Sequence, residues 1–416
     1  MTSLSQHETS FAVAEEVALR SRARLVALLA SRFRDIEAAE DAVSEAFAAA
    51  LAVWPHEGCP ANPEAWLLTA ARRRLIDQLR RRHESAASDE LEELAGSVAL
   101  SSEDELPDRR VALLFACAHP AIDAAVRAPL MLQVVLGLEA AAIASAFMTS
   151  PAAMAQRLVR AKTKIRDAGI PFTIPERREL PERTEAVLEA IYACFSEGWG
   201  DPAGSDAGRS EFAGEAIFLG RLVVELLPDA PEARGLLALT LFSESRRRAR
   251  RDQAGRFVPL TRQDRSLWDE AMIEEAETLL RRASEAGQIG RYQLEAAIQS
   301  AHVAGARTGV VPWREIVRLY DGLVHLTESP VAAINRSYAV AEAEGAAAGL
   351  AALDLVAADR RVENYQPYWA VRAHLLARTD LHEEARQAYR LAMGLERDPA
   401  VREYLAERMQ ELDSQH

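Results

Sequence analysis

The chain of 416 residues carries 49 Lys plus Arg against 63 Asp plus Glu, a net charge of −14, and 49% of it is hydrophobic. That composition supports a buried core and excludes wholesale disorder, and the length predicts about two to three domains. No apolar run reaches the roughly 18 to 20 residues of a membrane span, and Met1–Ser10 is polar with no hydrophobic signal segment, so a cytoplasmic protein with no membrane partner is expected. Cys59, Cys117 and Cys194 are far apart and form no CxxC pair, which predicts reduced thiols and neither a disulfide framework nor a zinc knuckle.

Helical periodicity runs through almost the whole chain, and an all-α fold is predicted. Ala38–Val53 reads as an amphipathic helix, Trp54–Ala61 as a loop, and a long helix opens at Asn62, a good N-cap followed by Pro63 at the first helical position. Leu68, Ala71, Leu75 and Leu79 fall on one face of that helix, and Arg73, Arg74, Arg80 and Arg81 fall elsewhere. From Glu84 to Asp108 there are nine acidic residues and no basic one, the composition of a linker.

A second unit follows. Leu138–Phe147 reads as a short helix, Met148–Ser150 as a tight turn, and Pro151–Arg166 as a longer helix capped by Ser150. Met154, Leu158, Ala161 and Ile165 form its buried stripe, while Arg157, Arg160 and Lys164 lie on another face beside Gln156, Lys162 and Arg166. The only two lysines of the chain, Lys162 and Lys164, are in this helix, and no acid interrupts it. A helix-turn-helix that reads the major groove needs this pattern; a helical hairpin with a solvated basic face satisfies it equally. Beyond Gly169-Ile170-Pro171 the helical pattern continues to the end in pairs at about the 34-residue scale of helical repeats, most clearly in Trp369, Ala373, Leu376, Ala385, Tyr389 and Ala392. The run Arg246–Arg251 reads as a solvated helix end or as a contact for the acidic linker.

The order of these elements is more specific than any one of them. Ala39-Glu40-Asp41-Ala42-Val43-Ser44-Glu45-Ala46-Phe47, then Asn62-Pro63-Glu64-Ala65-Trp66-Leu67-Leu68-Thr69-Ala70-Ala71-Arg72, then Met154-Ala155-Gln156-Arg157-Leu158-Val159-Arg160-Ala161-Lys162 resemble the two domains of extracytoplasmic-function sigma factors of bacterial RNA polymerase, within the sigma-70 family. The tail, with Phe195-Ser196-Glu197-Gly198-Trp199 and Asn335-Arg336, looks like the subgroup with a long helical, tetratricopeptide-like C-terminal extension. The resemblance implies a region 2-like domain over 1–83, an acidic linker over 84–108, a region 4-like helix-turn-helix domain over 109–170 and a regulatory helical extension over 171–416.

It also implies partners and roles. Asp41 and Glu45 would dock on core RNA polymerase, with Ser44 standing where glutamine is common. Asn62, Trp66, Arg72, Arg73, Arg74, Arg80 and Arg81 would hold the melted promoter −10 element, as single strands are held by cations and stacking aromatics, and the loop Pro55–Ala61 would capture a flipped base. Ala152, Ala153, Gln156, Arg157 and Arg160 would read the −35 element, with Lys162 and Lys164 nearer the DNA backbone. The extension would contact the sigma domains within the chain and modulate activity. No P-loop, GxGxxG, HExxH or nucleophile elbow is present, and no enzyme activity, cofactor or metal is expected; Cys117 and His119 read as a buried structural pair. Two alternatives remain at this stage, a helical-repeat interaction scaffold and a helix-turn-helix regulator that acts without polymerase.

Overall fold

The computed structural model describes residues 21–82, 109–135, 137–147, 149–173, 176, 178–199 and 207–413. The acidic segment 84–108 lies outside the described residues. The fold is all-α: the one β pairing among the described residues is an isolated bridge between Arg251 and Phe257. The described chain divides into two compact units, one of residues up to Gly198 together with Glu211–Leu219, the other of Trp199–Ser210 and Gly220 onward. The boundaries expected from sequence at 83, 108 and 170 all fall inside the first unit.

In the first unit, α1 (21–33) leads into α2 (Ile36–Glu57) and α3 (Pro63–Arg82). The buried Asp35 starts α2 by accepting the Ala38 N–H at 3.0 Å. The helix continues through Pro55 and closes at Glu57, where Gly58, at φ +90°, donates its N–H to Trp54 O at 2.9 Å. The loop expected from Trp54 thus begins only at Gly58. A proline in the last turn removes one hydrogen bond, and the apolar residues below hold the remainder. Asn62 Oδ1 accepts the Ala65 N–H at 3.0 Å and opens α3. Leu25, Leu29, Val43, Trp54, Leu67 and Leu75 are fully buried among these helices and form their shared apolar core.

The unit continues with α4 (Arg110–Cys117), α5 (Ala124–Val134), α6 (Ala140–Ala146), α7 (Pro151–Asp167) and α8 (Leu180–Trp199). Ser150 Oγ accepts the Ala153 N–H at 3.3 Å and starts α7. Gly169 at φ +61° and the Ile170 N–H donated to Ile165 O end it in the left-handed turn typical of helix C-termini. Arg183 of α8 is buried and donates to Phe115 O and to Glu179. Arg110 pairs with Glu215 of α9 (Ala207–Leu226) and lies 4.5 Å from the Phe218 ring centre.

The second unit is a stack of helices, short-linked except for the long connection 245–269: α10 (Pro231–Glu244), α11 (Glu270–Ser284), α12 (Arg291–Thr308), α13 (Trp313–Thr327), α14 (Pro330–Glu344), α15 (Ala346–Asp354), α16 (Gln366–Ala377), α17 (His382–Leu395) and α18 (Pro399–Asp413). Consecutive helices pack on each other, and α10 also packs on α12, and α14 on α16. Trp369, Ala373, Leu376, Ala385, Tyr389 and Ala392, grouped by spacing in the sequence, share one apolar cluster. The run Arg246–Arg251 is not a solvated helix end. Arg246 bonds to Gln299 and Phe242 O, Arg247 pairs with Glu244, Arg250 lies 4.2 Å from the Trp199 ring centre, and Arg251 pairs with Asp398, leaving Arg248 exposed.

Candidate nucleic-acid interface

A helix that carries an apolar stripe of one residue per turn has two flanks left to assign, and α7 uses both. Met154, Leu158, Ala161 and Ile165 are buried. On one flank, Ala152, Gln156, Arg157, Arg160 and Lys164 are exposed and Ala153 is half-buried. Arg160 reaches back one turn to Gln156 Oε1 at 3.5 Å, while Arg157 and Lys164 pair with no acid among the described residues. Small residues at the helix start and unpaired cations further along leave this flank open to a polyanion.

The other flank faces α2. Lys162 Nζ lies 2.6 Å from Glu40 Oε2 with both side chains largely buried, and Arg166 lies 3.7 Å from Glu37. Lys162, expected near the DNA backbone, is here bonded to α2. Sequence reading placed Glu40 in a motif but gave it no partner. The signal available was spacing, since Lys162 follows Leu158 by one turn at the edge of the apolar stripe.

Around α2 and α3 the expected residues separate into four groups. Asp41 and Glu45 are exposed on successive turns, and Glu45 is 3.5 Å from Arg74 and accepts from Gln78 at 3.4 Å. Arg73, Arg74 and Arg80 are exposed and Arg72 half-buried, giving α3 a cationic face; the side chain of Arg81 lies outside the described residues. Trp66 is half-buried and meets the fully buried Trp54 edge-on at 5.5 Å between ring centres, so Trp54 is a core residue and Trp66 keeps a wet edge. Asn62 uses its side-chain oxygen as the α3 cap. The Cys117 thiol is buried and its pKa is raised by that burial, while His119 Nδ1 accepts the Ala121 N–H at 3.1 Å. His119 is half-buried and serves the local turn, so the buried pair expected from sequence is not formed. Among the described residues no helix is long and apolar enough to cross a membrane.

Residues 18–84, which contain α1 to α3, match sigma-70 region 2. A protein of Rhizobium meliloti (strain 1021), described as "Uncharacterized protein R00370", is 38% identical over 394 residues, covering 92% of each chain. The chain belongs to the family of this relative. Its sigma-70 region 2 supports a sigma-70 family sigma factor, a non-enzymatic class that acts in transcription initiation with core RNA polymerase and promoter DNA. Residues 183–284 match a family of unknown function (DUF6596). No solved structure matches.

Proposed function

We propose that the protein is an extracytoplasmic-function sigma factor that binds core RNA polymerase and directs it to specific promoters. The observation that carries this reading is the sigma-70 region 2 match over helices that present an exposed arginine face. Asp41 and Glu45 dock on polymerase; Arg72, Arg73, Arg74, Arg80 and Arg81 hold the −10 strand beside Trp66, and Asn62 sets the start of that helix. The pair α6–α7 acts as a helix-turn-helix in which Gln156, Arg157 and Arg160 reach −35 bases, Ala152 and Ala153 admit close approach, and Lys164 meets phosphate. Lys162 acts differently, holding α7 on α2 in the free chain, so that engaging both promoter elements requires this contact to open. The helical extension modulates activity through contact with the sigma domains.

Full-length protein mixed with core polymerase should co-elute with it and start transcription from a cognate promoter; folded protein that does neither overturns the reading. In that holoenzyme, Arg157→Glu with Arg160→Glu should weaken promoter binding and relax the preference at −35, while Lys164→Glu should flatten the dependence on salt, because each lost phosphate contact lowers the log–log salt slope by about one. Unchanged affinity in the double variant together with an unchanged slope in Lys164→Glu removes α7 from the interface.

A further inference from the structure

Within the second unit a cavity of about 490 Å³ opens among α12, α13, α14 and the segment before α11, a size that holds a small organic molecule. Its walls are aromatic. Trp313 meets His302 edge-on at 5.5 Å and Tyr338 at 5.9 Å, and Trp268 closes another side with its indole N–H buried and meeting no acceptor among the described residues. Aromatic walls alone suit either an apolar ring or a cation held over ring faces.

Charge decides between them. No Asp or Glu lines the cavity, and its one charged lining residue is the exposed Arg265, anchored by donation to Ala306 O. His302 is kept neutral by burial, and the Arg246 guanidinium adds positive potential close to it. Asn335, part of a dipeptide singled out in the sequence, lines the same cavity, is exposed, and makes no hydrogen bond to a described residue. A guanidinium and an amide on the lining of an aromatic cavity are what an aromatic carboxylate needs, the charge-assisted bonds at one end and ring contacts at the other. A cation would meet positive potential with no counter-charge.

We propose that this cavity binds a small planar aromatic carboxylate, its ring beside Trp313, Tyr338 and Trp268 and its carboxylate on Arg265 and Asn335. Binding is read without polymerase, so the site stands or falls separately from the promoter function. Calorimetric titration of the full chain with sodium 2-naphthoate should show saturable one-site binding, with 2-naphthamide at least about tenfold weaker and 2-naphthylmethylamine undetectable. Arg265→Gln should bring naphthoate down to the affinity of the amide and leave the amide unchanged, and Asn335→Ala should weaken naphthoate with no change in the melting curve, since both side chains are exposed. Absence of saturable naphthoate binding, equal binding of the three probes, or unaltered naphthoate affinity in Arg265→Gln overturns the proposal.

Discussion

The imidazole of His302 is neutral in the folded protein because burial, reinforced by Arg246, pushes its pKa down to about 4. In the unfolded chain the same group protonates near the ordinary value of 6.5. Between these values the unfolded state binds more protons, so the contribution of His302 is fully present above the unfolded pKa and is lost as pH falls through this window. The loss reaches about 2 kcal/mol by about pH 5. Urea unfolding of His302→Gln and of the parent at about pH 7.5 and 5 checks this. The variant should be less stable at the higher pH but lose less on acidification, and equal losses would place the acid sensitivity elsewhere. Nothing in the sequence distinguishes His302 from the other eight histidines, because its environment comes from three helices and a loop that meet only in the fold.

At the scale of elements, two contacts fix helix positions. Glu232 of α10 accepts the N–H groups of Tyr292 at 2.9 Å and Gln293 at 3.1 Å, capping α12 with a carboxylate from a different helix. This is possible because α10 and α12 approach closely at Gly235, where an added Cβ would lie 2.7 Å from the backbone nitrogen of Gln293. Gly235→Ala should therefore force the helices apart and cost roughly 2–4 kcal/mol in chemical denaturation. Gly214→Ala in α9 meets open space and should stabilise by up to about 1 kcal/mol, because alanine is the better helix former. The second contact joins α2 to α7. Lys162→Met leaves Glu40 largely buried without its cation and should destabilise the first unit by roughly 2 kcal/mol, while Glu40→Leu combined with Lys162→Met should recover much of that loss. Additive losses in the double mutant would mean that the two side chains do not support each other.

Over the whole molecule, what was legible in the sequence was what is encoded locally. The Asn62 and Ser150 caps, the four-residue stripe of α7 and the all-α class follow from periodicity and hydrogen-bonding chemistry within one turn. The charge pattern was readable as well: nine of the acids lie in 84–108, between the arginine-bearing segments of α3 and α7 in the sequence. What could not be read depends on distant segments meeting. Glu40 and Lys162 are 122 positions apart, and the cavity draws on residues from Pro259 to Val371. The arginines at 246–251 misled for the same reason, since their partners Gln299, Trp199 and Asp398 are far along the chain.

The second unit has a further consequence for how the chain acquires its shape. From α10 to α18 the main helix contacts join neighbours or next-but-one neighbours in sequence, so most new helices close a short loop on surface already ordered, the exception being the segment 245–269, which Arg251 ties to Asp398. Such a stack assembles by propagation from whichever pair forms first, quickly and with little search, and it comes apart by fraying rather than by a single cooperative event. The cavity wall formed by α12, α13 and α14 lies between α10 and α18, where opening requires the loss of packing on both sides. The aromatic lining thus sits where fraying from either end of the stack arrives last, while the mouth of the cavity at Arg265 and Asn335 is open to solvent.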